Sequence, residues 1–203
     1  MIVLDVETTG LVPSTHSIVS LGALDLDDPT NQFYEECGVW NGAAIDEDAL
    51  RINGFALSEI EGEGARGKQT EAGLIQSFIA WALDRPHDRT LAAQNPSFDL
   101  EFVQAACKRA GIECPFAKRT LDIHTLVWMH MVSRGEKPPA KNHHSAINLD
   151  FALQYVGVPP EPKPHNALTG ALCHAEVIAR IAYNKKLLPD FSTFELPWET
   201  NRS

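Results

Sequence analysis

The chain opens on an alternation. Met1–Glu7 is β-branched, with Ile2, Leu4 and Val6 on one face of a strand and Asp5 and Glu7 on the other. After the turn-rich Gly10–Ser14, Ser17–Leu26 reads as a second strand and Gln32–Trp40 as a third, and the three are expected to pair as an antiparallel meander. The period then lengthens. Asp46–Ile52 is helical and is stopped by Asn53-Gly54, and Ser58–Ile60 begins another short helix. Past a glycine-rich link, Gly62–Gly67, the stretch Gln69–Leu83 is amphipathic, with Leu74, Phe78 and Trp81 on one face. Thr90–Gln94 reads as a short buried strand, Phe98–Ala110 as a helix ended by Gly111, and Leu121–Met131 as a further helix. Ser133–Ala146 is polar and carries two prolines and two adjacent histidines, so it is expected as a loop. Asn148 caps a helix to Tyr155, Pro159–Pro164 is rigid and extended, and Asn166–Lys185 is a long final helix. Pro189–Ser203 is expected as a tail packed on the surface.

Three strands, helices, a strand and more helices define an α/β chain with a mixed sheet and helices on its faces. At 203 residues it is expected as one compact domain, residues 1–188, followed by the C-terminal tail 189–203. No internal repeat or low-complexity tract is visible. Apolar residues make up 44% and charged residues 22%, which argues against wholesale disorder. No apolar run approaches a membrane span and no signal peptide is visible, so no membrane partner is expected and a cytoplasmic location is the default. Cys37, Cys107, Cys114 and Cys173 form no C-x2-C pair, so they read as reduced core thiols and not as a zinc site. The net charge of −10 counts against a long, sequence-indifferent DNA groove. It leaves room for a site that grips a few nucleotides at one chain end, where metal ions supply the positive charge.

The candidate chemistry is in three segments. Asp5 and Glu7 share a strand face, where two acids repel and call for a cation or a function; a solvated strand face is the bland alternative. Asp99 begins a helix after Asn95-Pro96, where a carboxylate is also simply a good N-terminal residue. His165 precedes the last helix. A lone histidine is usually structural, though its ordinary pKa near 6.5 suits a general base.

Taken in order, these segments resemble the DEDD superfamily of 3′–5′ exonucleases, and within it the histidine-bearing (DEDDh) branch of proofreading subunits, oligoribonuclease and ribonuclease T. The motifs are Asp5-x-Glu7-Thr8-Thr9-Gly10-Leu11, then Asn95-x-x-Phe98-Asp99 with Phe102 following, then Asp122–Leu126, and finally Leu149–Gly157 leading to His165-Asn166-Ala167-Leu168. They cover about residues 1–185. The resemblance implies a ribonuclease-H-like fold, a five-stranded mixed sheet flanked by helices. It implies two divalent cations, Mg²⁺ or Mn²⁺, with Asp5 bridging both, Glu7 holding one and Asp99 in the shell of the second. His165 is implied to take the proton from the nucleophilic water. Thr8, Thr9 and Leu11 are implied to line the terminal nucleotide, with Asn95 and Phe98 beside them, and Leu11 to wedge against a base. Phe55 is a weaker stacking candidate, for which a core role is the alternative. The implied partner is the 3′ end of single-stranded DNA or RNA, and because several members are dimers a homodimer is among the implied states.

One position departs from that pattern. The family has an aspartate five residues after the histidine, and here that position is Gly170. One reading is a crippled enzyme with one weakened ion site. A second is that His174, about 40° around the helix and about 6 Å along it, reaches back as a neutral imidazole ligand over the space a glycine leaves. That would tilt preference toward Mn²⁺ or another transition metal. The alternative for His174 is an ordinary surface histidine. A third reading is that Asp150 or Asp122 supplies the missing charge. Glu176 is expected to face elsewhere and Cys173 to lie in the core.

Overall fold

The computed structural model describes residues 1–61, 69–86 and 88–199; the Gly62–Gly67 link lies outside them. Five strands form one sheet: β1 (Ile2–Thr8), β2 (Ile18–Asp25), β3 (Asp28–Glu36), β4 (Leu91–Ala93) and β5 (Leu121–Asp122), in the order β3-β2-β1-β4-β5. The first three make the antiparallel meander, while β4 and β5 run parallel to β1. The helices are α1 (Glu47–Asn53), α2 (Leu57–Ile60), α3 (Glu71–Leu83), α4 (Pro96–Ala110), α5 (Ile123–Ser133), α6 (Leu149–Tyr155) and α7 (Ala167–Tyr183). This is the α/β, ribonuclease-H-like arrangement of a mixed five-stranded sheet with helices on both faces.

The alternation along β1 decides which helices lie on which face. Ile2, Leu4 and Val6 join one core with Phe78 of α3 and Phe102 of α4. Val3 points the other way, into a second core with Leu24, Ala92, Val127 of α5, Leu153 of α6 and Ile178 of α7. Asp5 and Glu7 continue the Val3 face beyond its apolar part, so period two carries them to the end of that core. Opposite them on β2 stand two small residues, Gly22 across from Asp5 and Ser20 across from Glu7. A Cβ on Gly22 would lie 2.2 Å from the Leu168 backbone nitrogen, so only glycine lets the start of α7 descend onto the sheet here. Asn166 caps that helix, its Oδ1 accepting from the Leu168 and Thr169 N–H groups at 3.0 and 3.2 Å.

Several elements differ from the sequence reading, beginning with the third strand, which runs Asp28–Glu36 and not Gln32–Trp40. The fifth strand comes from Leu121–Asp122, which the helical pattern had absorbed, and Asp122 then caps α5 by accepting from the His124 N–H at 3.0 Å. Two residues of strand carry too little period to show in a sequence. The polar Ser133–Ala146 loop contains a small hairpin, β6 (Ala140–Lys141) and β7 (His144–Ser145). Within the expected surface tail, Leu196 and Trp198 are buried in the second core. Arg180 fixes that segment by donating to the carbonyls of Phe191 and Phe194 at 2.9 and 3.0 Å. All four cysteines are free, and among the described residues no helix is long and apolar enough to cross a membrane.

Candidate active site

The carboxyl ends of β1 and β4 diverge, and the site fills the gap. Only Ile2 and Val3 pair with β4; past Ala93 the chain turns into α4. The turn uses Asn95 in the left-handed region, φ 57°, which asparagine tolerates better than most residues. The Val6 N–H, left without a strand partner on this side, donates instead to Asp99 Oδ1 at 3.2 Å. Asp99 is thereby held at the first turn of α4 and buried beside β1. In an open α/β sheet such a gap beyond the strand ends is where ligands bind.

Above it lies a cavity of about 330 Å³, lined among others by Asp5, Glu7, Gln94, Asp150, Glu161, His165 and His174. A larger hollow of about 610 Å³, between Pro13 and the Glu101–Arg109 face of α4, contains none of these groups. Besides exposed Asp150, Asp5, Glu7 and Glu161 line the first cavity and Asp99 stands behind them, a group of four carboxylates. Burial raises the Asp5 carboxyl well above its ordinary range, and Asp99, Glu7 and Glu161 add repulsion. Burial, then Glu161 and Asp99, push Glu7 to about 8. Burial brings Asp99 to about 7 against the opposing pull of its backbone hydrogen bonds. Glu161 is also raised by burial, with His165 and the Asn166 backbone holding it back. Among the described residues, no lysine or arginine forms an ion pair with any of the four.

Each anticipated residue has a definite place. Asp5, Glu7, His165 and His174 share the cavity wall, and Asp99 stands behind it. His165 is half-buried, its Nδ1 3.7 Å from Glu161 Oε2, and its backbone N–H donates to the Ile52 carbonyl at 3.2 Å. His174 is not an ordinary surface histidine: it is 2% exposed. Its Nδ1 donates to the Leu4 carbonyl at 3.0 Å, which makes Nε2 the lone-pair nitrogen. Burial lowers its pKa to about 4, so the ring is neutral at pH 7. Leu11 is 76% exposed beside the end of β1, open to contact. Asn95 is exposed and Phe98 half-buried, its ring 4.9 Å from that of Phe102.

Other placements correct the sequence reading. Thr9 is fully buried, its hydroxyl donating to the Ala44 carbonyl and accepting from the Ser17 N–H, so its side chain belongs to the frame and not to a nucleotide surface. The Thr8 hydroxyl is likewise committed, to the Gly10 carbonyl at 2.7 Å. Phe55 is buried with Val19 and Ile60 in a small core and offers no stacking face. Asp122 is occupied by the Asn95 and His124 N–H groups and does not line the cavity, whereas exposed Asp150 stands at its mouth. At Gly170 an added Cβ would lie 2.2 Å from Asp5 Oδ2, so the Asp5 carboxylate occupies the space where a side chain at 170 would begin.

Two lining residues were missed. Gln94 donates from Nε2 to the Ile147 carbonyl at 3.2 Å, leaving Oε1 buried without a partner. Glu161 lies in the Pro159–Pro164 segment, read only as a rigid link, and its Oε1 is also buried and unpartnered. The available signal was an acid between prolines, four residues before His165. Among the described residues, no group of three or more His, Cys, Asp or Glu side chains is placed so that it could hold a metal ion as it stands. The donor set still fits hard divalent cations: crowded carboxylates, an orphaned carboxylate oxygen and no ion pair to a lysine or arginine.

The site is thus the end of a sheet with an acidic cluster and a histidine at its rim. A family model described as exonuclease, of the RNase T type, matches residues 2–178, and the chain belongs to that family. It is 28% identical to Ribonuclease T of Klebsiella pneumoniae over 129 residues, 55% of this chain and 56% of that protein, so the match spans about half of that relative's length. It is 27% identical to the DNA polymerase III subunit epsilon of Rickettsia typhi over 206 residues, 98% of this chain and 80% of that one. Among solved structures, the nuclease domain of 3′hExo, a DEDDh family member bound to rAMP, superposes with a TM-score of 0.69 at 16% identity, covering 92% of this chain and 93% of that one. Exonuclease I of E. coli in complex with a dA16 oligonucleotide superposes with a TM-score of 0.66 at 13% identity, covering 90% of this chain and 41% of that one.

Proposed function

We propose that this chain is a metal-dependent 3′–5′ exonuclease that hydrolyses the terminal phosphodiester of short or single-stranded DNA or RNA. The observation that carries the reading is the set of buried carboxylates at the end of β1, which repel one another and have no lysine or arginine ion partner among the described residues. Such a cluster costs stability unless a cation joins it. Asp5, Glu7 and Asp99 would hold two divalent ions, Mg²⁺ or Mn²⁺. When bound, these supply the charge that activates water and steadies the leaving oxygen of an in-line displacement.

The chain's own residues do the rest. His165 turns Nδ1 toward Glu161, which leaves Nε2 to take a proton from the attacking water; the proton moves from water oxygen to Nε2 as the oxygen bonds to phosphorus and the P–O3′ bond breaks, the 3′ oxygen leaving with the shortened strand and taking a proton from solvent. The Glu161 carboxylate then steadies the imidazolium. Leu11, exposed where β1 ends, packs on the terminal base, and Asn95 and Phe98 flank the path. Buried Thr8 and Thr9 hold the backbone of that strand end in place. His174, with a fixed tautomer, offers a neutral nitrogen donor on the α7 side of the cavity. Residues 1–188 with the segment after them act as one folding unit, and a homodimer belongs to the same reading, to be checked by light scattering.

A 5′-labelled oligonucleotide incubated with Mn²⁺ or Mg²⁺ should give a ladder shortened from the 3′ end. Asp5→Ala should abolish it; undiminished activity in that variant would remove the assignment. Gly170 favours one competing reading, a 3′-end-binding module that does not cut. It is supported if the chain retains oligonucleotide yet releases no nucleotide under any divalent ion.

A further inference from the structure

The family's fourth carboxylate is absent from α7, and Gly170 cannot take one without displacing Asp5. Yet a fourth carboxylate reaches the site by another route. We infer that Glu161, from the loop before His165, replaces the missing aspartate and donates its Oε1 oxygen to a divalent cation shared with Asp5 and Glu7. The inference rests on the exonuclease reading above and names a ligand which that reading lacks.

Four observations carry it. Glu161 lines the same cavity as Asp5 and Glu7. Its side chain is only 4% exposed, and the carboxylate is only partly answered: Oε2 faces His165 at 3.7 Å and the Asn166 backbone favours the ionised form, while Oε1 is buried with no hydrogen-bond partner. A buried acceptor without a donor is costly and rare in folded proteins, and a cation would satisfy it. The backbone that presents Glu161 is stiff. Pro159, Pro160, Pro162 and Pro164 restrict it, and the His165 N–H ties its end to the Ile52 carbonyl at 3.2 Å. Finally, the charge is restored: Asp5, Glu7, Asp99 and Glu161, all ionised, carry −4 rather than −3, which matches two divalent cations. Asp150, exposed at the mouth, adds charge nearby but has no buried oxygen to satisfy.

The same geometry gives Gly170 a purpose. Moving the fourth ligand off α7 leaves the Asp5 carboxylate free to lie against the bare helix backbone, where Oδ2 now sits. His174 occupies the next turn of α7 with its Nδ1 on the Leu4 carbonyl, so α7 faces the ions with a neutral ring and no acid.

The test is Mn²⁺ binding by the whole chain, read by electron paramagnetic resonance of the free ion and without substrate. Glu161→Gln keeps the size and removes the charge. It should lower Mn²⁺ affinity at one site about tenfold or more, while Asp150→Asn changes it less than about threefold. The metal-free melting temperature of Glu161→Gln should equal or exceed that of the wild type, because a buried repulsion is relieved. Wild-type affinity in Glu161→Gln, with affinity lost in Asp5→Asn, would overturn this inference alone. A wild-type chain that binds no Mn²⁺, or Asp5→Asn binding as wild type, would overturn the exonuclease reading itself. A second measurement needs no variant: Fe²⁺ loaded into the wild type with ascorbate and peroxide should cut the backbone near residue 161 as well as near residue 5. Cutting near residue 5 without cutting near 161 also overturns the inference.

Discussion

Helix α7 passes two groups of buried charge, and they are built on opposite principles. Near its far end Glu176 and Arg180 are both fully buried, and nearly every polar atom is answered. Glu176 accepts from Arg180 Nε at 2.6 Å and from the Leu187 and Leu188 N–H groups at 3.1 and 2.9 Å. Arg180 spends its remaining N–H groups on the carbonyls of Val156, Phe191, Phe194 and Glu195. Near its start the helix faces Asp5, Glu7 and Glu161, where acid meets acid and Glu161 Oε1 has no partner. The first group fastens the C-terminal segment to the core. The second adds repulsion instead, which is the feature the proposed cation site would relieve.

The largest expected effect breaks the satisfied group. Arg180→Met strands the Glu176 carboxylate in the core and should cost about 3–5 kcal/mol of unfolding free energy in urea titrations. The double variant Arg180→Met with Glu176→Leu should recover most of that loss. Full recovery of wild-type stability in the single variant would mean the pair contributes nothing.

The unsatisfied group should respond with the opposite sign. Asp5→Asn should raise the metal-free melting temperature while lowering nuclease turnover by at least about a hundredfold. The pH dependence follows from the same cause. Glu7 and Asp99 have folded pKa values raised to about 8 and about 7, so the native chain binds more protons than the unfolded chain above their ordinary values. Metal-free stability should therefore fall as pH rises from about 4 to about 8. His174, lowered to about 4, acts oppositely, losing stability as pH drops through the range from about 6.5 to about 4. Saturating Mn²⁺ should flatten the upper part of the profile by favouring the ionised carboxylates. A metal-free melting temperature that climbs between pH 5 and 8 would contradict the repulsion.

Smaller effects sharpen the comparison. Gly170→Ala puts a methyl carbon where Asp5 Oδ2 now lies, 2.2 Å from the ideal Cβ, and should weaken Mn²⁺ binding about tenfold in the same resonance titration. Unchanged binding would show that Asp5 moves freely. Leu11→Ala, at a side chain 76% exposed, should leave the melting temperature in place and raise KM for an oligonucleotide several-fold, the loss of about 1 kcal/mol of stacking.

Much of this was legible along the chain. Strict alternation over Ile2–Glu7 separates a core face from an acidic face because period two permits no other arrangement on a strand. The amphipathic run that becomes α3 and the Gly111 stop of α4 were equally local signals. Where the signal was two residues long, as in β5 and the β6–β7 hairpin, the neighbouring helical and polar patterns masked it. At the site, Asp5, Glu7, Asp99 and His165 were singled out by the resemblance of their segments to the exonuclease motifs, each alone having an ordinary structural alternative. The burial of Thr9 and Phe55 was not, because a threonine or phenylalanine near a motif looks the same whether it faces solvent or the frame.

The sequence by itself determined the sheet's polarity of faces, the helix order and the departure at Gly170, since each is a property of neighbours along the chain. Only the tertiary structure showed what surrounds that departure. Glu161 lies 154 residues from Glu7, and no periodicity links an acid between prolines to the end of the first strand. They meet because Gly22 lets α7 down onto the sheet, and because the His165 N–H and a row of prolines fix the loop that leads into that helix. Charge acts through space and ignores the order of the chain, so the balance of an acidic site could be counted only after folding had brought its members together.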